Sequence, residues 1–234
     1  SIVIGSYFSL HSSKNRDFPY CDNIKLVCTP FSDNPKEWRK RVKHVQLCES
    51  DMVDGSWVSS KNLKSGKKKY KKKHDLFVVT EFTKKGLRCK GFQMLLFLID
   101  MEKELGLRVC ILDTATKKDM RKDSKSPSLG NYIREITRVV KHSENSSVIR
   151  VNSGKGEKLN QSKMNGLMQS SKFLLVGNTN DASPKIITES LIRGVPVILN
   201  KNILGGRKYI NENNGVLFDG PPPSPYGEPS IEYL

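Results

Sequence analysis

The sequence predicts an α/β fold built around a parallel sheet. Along residues 74–220, short apolar runs alternate with longer stretches whose apolar residues recur at helical spacing, and this alternation is typical of a parallel sheet with helices on both faces. The apolar runs are bounded by polar residues, as expected of strands that are buried on both sides. The predicted strands are 76–80, 107–112, 148–151, 173–176, 195–199 and 216–218, and the predicted helices are 88–105, 129–141, 159–170 and 184–193.

The part of the chain before residue 74 shows a weaker pattern of the same kind. Apolar runs predict strands at residues 1–8 and 24–28, and residues 35–48 have apolar spacing that predicts a helix. The segment Lys61 to Lys73 then holds eight lysines and no acid, which is typical of a solvated linker.

The clearest unit is a strand-helix-strand segment that ends at Asn200. Ser183 can cap its helix, Pro184 suits the first helical position, and Gly194 is placed to end the helix. The loop before the helix puts Asp181 and free backbone N–H groups at the carboxyl end of a strand. Doubly wound sheets bind nucleotides and their phosphates at such places, so the unit predicts an anion site.

Four motifs in this region carry a family resemblance. Asp181 and Glu189 stand eight positions apart, and three motifs follow: Arg193-Gly-Val-Pro-Val197, Asn202-Ile-Leu-Gly-Gly206 and Asn214-Gly-Val-Leu-Phe218. Together they resemble the donor-binding half of GT-B glycosyltransferases, especially the family-4 type, which has two glutamates at this spacing. They are also similar to short glycosyltransferase-like proteins of large algal and amoebal DNA viruses. The resemblance implies a Rossmann-like domain that follows a reduced or truncated N-terminal α/β domain.

The resemblance also implies roles for the two acids. By position, Asp181 would contact the donor sugar at the catalytic centre, and Glu189 would bind the ribose hydroxyls. Aspartate is one methylene shorter than the glutamate of the family, and Ala182-Ser-Pro-Lys185 replaces the family's glycine-rich turn. Because proline has no N–H to donate, contact with the donor phosphates is expected to shift to Ser183 and Lys185.

A second match lies after the predicted strand 76–80. The sequence Leu87-Arg-Cys-Lys-Gly-Phe92 is similar to the family's basic residue and Lys-Gly step, whose side chains clamp the donor diphosphate. Arg88 and Lys90 fall at these positions, and fixed positive charge there would stabilise the leaving group. In a lysine-rich protein the alternative is an ordinary solvated face.

The resemblance implies transfer of a sugar from a UDP- or GDP-sugar to a hydroxyl of a glycan or glycoprotein. Enzymes of this type generally retain configuration and need no divalent metal, which agrees with the absence of an Asp-x-Asp motif. An inverting enzyme would need a base on the opposite face of the sugar. His11 is then the best placed candidate by analogy, ahead of Asp17 and Asp33, although a lone histidine in a polar loop is usually just solvated.

Charge and cysteine content bear on partners and compartment. The formal net charge is +16, which suits an anionic donor, an anionic membrane surface or nucleic acid. Nucleic acid is disfavoured because the sequence has no zinc-ligand pattern, aromatic strand motif or recognition helix. Five scattered cysteines fit free thiols and a reducing, cytoplasmic environment.

The sequence therefore predicts four segments. They are an acceptor-side α/β domain (1–60), a lysine-rich linker (61–73), a donor-binding domain (74–220) and a proline-rich tail (221–234). Three hypotheses for function follow: a glycosyltransferase, a nucleotide- or anion-binding module without turnover, and a basic nucleic-acid-binding protein. The paired acids together with Arg88 and Lys90 favour the first, since fold alone does not choose among them.

Overall fold

In the computed structural model, the described strands pair into two sheets, one in each part of the chain. The structure describes residues 2–4, 26–29, 43–47, 51, 70–83, 86, 98, 100, 102, 104–115, 131, 134, 138, 147–150, 161–181, 184–220 and 222. Every strand pair in these ranges is parallel, as the alternating pattern predicts.

The described part of the N-terminal region forms a sheet of three strands. They are β1 (Ile2–Ile4), β2 (Leu26–Thr29) and β3 (Lys43–Gln46), in the order β1-β2-β3. The first two lie where the sequence predicts strands. The helix predicted over 35–48 is wrong at β3, where Val45 lies opposite Cys28 of β2. Backbone pairing with a neighbouring strand outweighs a local helical pattern because propensity is a weak prior.

The larger sheet contains six strands in the described residues. They are β4 (His74–Thr80), β5 (Val109–Asp113), β6 (Ser147–Arg150), β7 (Ser171–Val176), β8 (Val197–Asn200) and β9 (Gly215–Phe218). Their order is β6-β5-β4-β7-β8-β9. Counted along this sheet, the order is 3-2-1-4-5-6, the doubly wound order of Rossmann folds. All six strands match predicted ones to within about two residues at each end, so the predicted fold class is confirmed.

Two α-helices are described over their whole length. They are α1 (Gln161–Gln169) and α2 (Lys185–Leu191), and a short 3-10 helix spans Arg207–Tyr209. Both α-helices lie within predicted ones. The predicted helices 88–105 and 129–141 are described only at single positions, and each of these is helical: residues 98, 100, 102, 104, 105, 131, 134 and 138.

Helix α2 ends in a turn that depends on glycine. Gly194 has a φ of +69°, its N–H donates to the Leu191 carbonyl at 3.0 Å, and the Val195 N–H donates to the Ser190 carbonyl at 3.1 Å. This pair of bonds is a Schellman motif, in which a residue of left-handed conformation satisfies the last helical carbonyls. The turn that closes the helix is therefore completed by the glycine that the sequence marks, three residues before β8 begins.

The hydrophobic core lies between the central strands and the two helices. β5 is buried at all five positions, and β4, β7 and β8 contribute the fully buried Phe77, Leu174 and Leu199. Met168 of α1 and Ile187 of α2 pack into the same cluster. Burial of each such side chain stabilises the fold by about 1.5–3 kcal/mol. The core thus holds the carboxyl ends of four neighbouring strands in fixed register.

Near the amino ends of the central strands, Lys72 ties the lysine-rich segment to the sheet. Its Nζ donates to the carbonyl oxygens of Gln169 at 3.0 Å and Ser171 at 2.6 Å. The Lys73 N–H donates to the Ser170 carbonyl at 2.7 Å. A lysine on the last carbonyls of a helix is a favourable C-terminal cap, so the entry to β4 is fixed against the junction of α1 and β7.

Asp75 joins three strands near their amino ends. Its carboxylate accepts the Arg108 backbone N–H at 2.9 Å and the Arg108 Nε at 3.2 Å, and it pairs with Lys172 Nζ at 2.7 Å. Arg108 precedes β5, and Lys172 belongs to β7. The hydrogen bonds from Lys172 and Arg108 hold the pKa of Asp75 well below its usual range. The ionised carboxylate therefore stabilises the fold at neutral pH.

Replacing Asp75 with asparagine is expected to lower the free energy of unfolding at pH 7 by about 1–2 kcal/mol. Hydrogen bonds to charged groups are worth about 1.5–3 kcal/mol, and the exposure of Lys172 and Arg108 reduces this. Because the folded-state pKa is depressed, the stabilisation is present above the unfolded aspartate pKa and is lost as the pH falls. Urea unfolding of the wild type and the variant at pH 7 and pH 3 measures the loss of stability and its pH dependence. An equal difference in the free energy of unfolding at the two pH values would contradict the assignment.

The two parts of the chain meet at Asp51. Its carboxylate accepts a hydrogen bond from Lys208 Nζ at 2.6 Å and one from the Tyr209 hydroxyl at 2.5 Å. Both partners belong to the 3-10 helix that follows the Gly205-Gly206 turn. The N-terminal region is thereby tied to the segment after β8.

Candidate functional site

The carboxyl ends of β4 and β7 mark the point where the strand order reverses. These strands are neighbours, but β4 leads on to β5 on one side and β7 leads on to β8 on the other. Connections that diverge in this way leave a crevice outside the strand ends, where doubly wound sheets bind their ligands. The candidate site consists of the loops that follow β7, β8, β4 and β5.

The loop after β7 is built from buried polar residues. Asn178 and Thr179 are buried, and Asp181 is half-buried. The Asn178 Nδ2 donates a hydrogen bond to Asp181 Oδ2 at 2.9 Å. This bond is part of what orients the first of the two predicted acids.

The Gly205-Gly206 turn after β8 lies directly against this loop. The Leu204 N–H donates to the Thr179 carbonyl at 3.3 Å, and the Gly205 N–H donates to the Asp181 carbonyl at 3.1 Å. Gly206 has a φ of +90° and faces the start of α2 so closely that an added Cβ would lie 2.7 Å from Ile187 Cδ1. Only glycine fits such a position without strain, which explains this part of the motif.

Glu189 lies on the second turn of α2 and is only 8% exposed. Burial raises the pKa of Glu189, and the charges of Arg193 and Lys185 oppose that rise. Arg193 Nη1 donates to the Glu189 carbonyl at 2.5 Å. Burial of a carboxylate costs part of its hydration free energy, and a ligand hydroxyl that donates to it would offset part of that cost.

Polar residues at the ends of β4 and β5 form the other side of the crevice. Asp113 Oδ1 accepts the backbone N–H groups of Phe82 at 3.0 Å and Ala115 at 2.9 Å, which joins the two loops. Thr83 Oγ1 accepts the Gly86 N–H at 3.1 Å, the geometry of a helix N-cap. The helix after β4 therefore begins before residue 88, earlier than predicted. The sequence predicts that the loops around 81–90 and 113–118 border the ligand site, but it does not single out Thr83 or Asp113 within them.

The structure brings part of the predicted site together. Asp181, Lys185 and Glu189 lie on one strand-to-helix unit, with Lys185 exposed at the first residue of α2. Pro184 occupies the N-cap position rather than the first helical position, one residue from the prediction, and no side chain caps the helix there. Four other predicted residues lie outside the described part of the chain: His11, Arg88, Lys90 and Ser183.

The described residues lack a metal-binding cluster and a membrane-spanning helix. No group of three or more His, Cys, Asp or Glu side chains there is arranged to hold a metal ion. None of the helices described is long and apolar enough to cross a membrane. Reaction without a metal stays a prediction.

Comparison with solved structures identifies the fold. A glycosyltransferase from Rickettsia africae superposes with a TM-score of 0.53 at 15% identity, over 93% of this chain and 56% of that one. A UDP-forming α,α-trehalose-phosphate synthase from Burkholderia vietnamiensis superposes with a TM-score of 0.51 at 8% identity, over 83% of this chain and 48% of that one. A sucrose-phosphate synthase from Thermosynechococcus elongatus superposes with a TM-score of 0.50 at 14% identity, over 94% of this chain and 54% of that one. No protein-family profile and no curated protein sequence matches the chain.

These neighbours share the architecture but little sequence. At 15% identity or less, the similarity concerns the fold and not the activity. The chain spans about half the length of these neighbours, between 48% and 56%. The protein therefore has the α/β, Rossmann-like parallel-sheet fold of GT-B glycosyltransferases, over part of the length of those proteins.

Proposed function

We propose that the protein is a glycosyltransferase that transfers a sugar from a UDP- or GDP-sugar to a hydroxyl of a glycan or glycoprotein, without a metal ion. The fold supports this proposal, since its neighbours include a glycosyltransferase and a synthase named as UDP-forming. The activity itself has to be argued from the site, because one fold serves many functions.

The observation that carries the proposal is the state of Glu189. Glu189 is buried on α2, the helix that follows the loop after β7, and burial raises the pKa of its carboxyl group. A carboxylate there can accept hydrogen bonds from both hydroxyls of a ribose. A partly buried carboxylate loses part of its hydration, which costs free energy. A role in binding a ligand that supplies hydrogen-bond donors therefore explains Glu189 better than a role in stabilising the fold.

The other acid, Asp181, acts at the sugar. Glycosyl transfer passes through an oxocarbenium-like state, and Asp181 is proposed to contact the sugar in that state. The departing diphosphate needs fixed positive charge and N–H donors. In this proposal the positive charge and the hydrogen-bond donors come from Lys185, Arg88, Lys90 and Ser183.

The acceptor would bind from the side of the N-terminal domain. We assign residues 1–60 to that domain, 61–73 to the linker, 74–220 to the donor domain and 221–234 to the tail. The bonds from Asp51 to Lys208 and Tyr209 support close approach of the two sides. If the reaction inverts configuration, His11 is the proposed base.

A binding module without turnover is the second candidate. It is favoured by the loop before α2, where Pro184 stands at the N-cap and offers no N–H to a phosphate. Such a protein would bind nucleotides but would leave the sugar nucleotide intact.

Saturation-transfer NMR against a panel of UDP- and GDP-sugars tests the proposal. We expect saturation of the nucleobase, ribose and sugar protons of at least one donor, followed by slow release of the nucleoside diphosphate when acceptor glycans are added. Binding without release in any mixture would favour the binding module. Absence of binding by every nucleotide and sugar nucleotide would contradict both candidates.

A further inference from the structure

The sequence does not mark Asn178 as a site residue, but its side chain bonds to Asp181, which the sequence does mark. Asn178 is 5% exposed, and its Nδ2 donates to Asp181 Oδ2 at 2.9 Å. A hydrogen bond to an ionised carboxylate is stronger than one between neutral groups. The side chain of Asn178 therefore helps to decide which way the Asp181 carboxylate turns.

Asn178 is itself held in place by the strand next to it. Asn200, the last residue of β8, is fully buried, and its Nδ2 lies 3.4 Å from the Asn178 carbonyl oxygen that it donates to. The Asn200 Oδ1 accepts the Asn202 N–H at 3.0 Å. An added Cβ on Gly220 would lie 2.7 Å from Asn200 Cγ, so this side chain is tightly enclosed.

The loop that carries both residues is fixed at two further points. The Thr179 and Asp181 carbonyls accept the Leu204 and Gly205 N–H groups. With the backbone held at Thr179 and Asp181, the side-chain bond from Asn178 contributes to the rotational orientation of the Asp181 carboxylate. Sites that must orient a ligand group commonly rely on such supporting hydrogen bonds.

We propose that Asn178 is a positioning residue that sets the affinity for the sugar part of the donor by orienting Asp181. This inference rests on the proposed function, in which Asp181 contacts the sugar and Glu189 contacts the ribose. Because Asn178 acts through Asp181, its removal should weaken binding of the sugar and leave binding of the nucleotide nearly unchanged. A residue that merely stabilises the loop would change both affinities together or neither.

The test compares two ligands and two backgrounds. Dissociation constants are measured by calorimetry for UDP and UDP-glucose, or for GDP and GDP-mannose if the wild type prefers guanine. Asn178→Ala is expected to weaken sugar-nucleotide binding by about 10-fold, the effect of losing one hydrogen bond to a charged group, and to change diphosphate binding less than about 2-fold. In an Asp181→Ala background the same change should have no further effect on the ratio of the two constants, because the group through which it acts is gone.

Asn214→Ala is the matched control. Asn214 also bonds within a loop, from Nδ2 to the Tyr209 carbonyl at 2.8 Å, but it precedes β9 and lies away from the β7 loop. Its replacement should leave the ratio of the dissociation constants for sugar nucleotide and nucleoside diphosphate at the wild-type value. If Asn178→Ala does not fold, Asn178→Ser provides the smaller polar substitution with the same expected direction.

The outcomes separate the inference from the function on which it rests. An unchanged ratio in Asn178→Ala, or an equal effect in the Asp181→Ala background, overturns the positioning role while wild-type binding of the sugar nucleotide still supports the donor site. Failure of the wild type to bind either ligand overturns the proposed function and this inference with it.

Discussion

Replacing Gly206 with alanine is expected to lower the free energy of unfolding by about 2–5 kcal/mol. Left-handed backbone costs a residue with a Cβ about 1–2 kcal/mol, and forcing an extra methyl into a packed site costs about 1–3 kcal/mol. Both apply here, since φ is +90° and the new Cβ would lie 2.7 Å from Ile187 Cδ1 and 2.9 Å from Pro184 Cγ. The strain would also displace the turn that holds the Asp181 loop, so donor binding should weaken as well.

Gly166→Ala is the control for this substitution. Gly166 lies within α1, has no neighbouring atom within 4 Å of an added Cβ, and does not have a positive φ. Alanine in a helix is favoured over glycine by about 0.5–1 kcal/mol, so this variant should be slightly more stable than the wild type. Urea unfolding of the two variants measures the contrast. Similar stabilities would show that the turn tolerates a side chain and that its glycine is not required.

Replacing Glu189 with glutamine is expected to weaken nucleotide binding by about 1–3 kcal/mol, which is about 5- to 150-fold in the dissociation constant. Glutamine has nearly the same shape but lacks the charge that strengthens hydrogen bonds from ribose hydroxyls. Calorimetry with UDP or GDP measures the change. A nucleotide affinity equal to that of the wild type would remove Glu189 from the donor site.

The same substitution should not destabilise the free protein at neutral pH. Burial raises the folded-state pKa of Glu189, so the carboxyl group lowers stability as the pH rises above the pKa of an unfolded glutamate, and glutamine removes this cost. The gain should vanish as the pH falls below the pKa of an unfolded glutamate, where the carboxyl is protonated in both states. Unfolding at pH 7 and pH 4 measures this. A variant that is less stable at pH 7 would indicate a structural role instead.

The larger sheet could be predicted because burial on both faces leaves a clear trace in sequence. β5 reads Val-Cys-Ile-Leu-Asp and is buried throughout, and the β7-α2-β8 unit has glycine and proline at its boundaries. In such segments local pattern, turn residues and packing all agree. The placement of Asp181 in a loop and of Glu189 on a helix could be predicted for the same reason, whereas their roles at a donor come from the family resemblance and stay a prediction.

Other parts depend on contacts that sequence order does not show. The segment 43–46 is a strand because each of its residues pairs with a residue of β2 that lies 17 positions earlier in the chain, and no local pattern gives that pairing. The role of Asn178 arises from a side-chain bond across a loop, and that of Asp113 from a loop on another strand. Polar residues at strand ends are common in sequences. Which of them form hydrogen bonds with one another becomes evident only when the strands lie side by side in the structure.

Hydrogen exchange detected by mass spectrometry tests most directly where the donor binds. The protein is compared without ligand and with a saturating sugar nucleotide, and exchange is followed by peptide. We expect slower exchange in the loop 177–181, in α2 and in the turn 201–206, because these segments border the bound donor in the proposed site. Unchanged exchange in all three, with protection confined to the amino ends of β4, β5 and β7 around Lys72, Arg108 and Lys172, would contradict a donor site at the carboxyl ends of the strands.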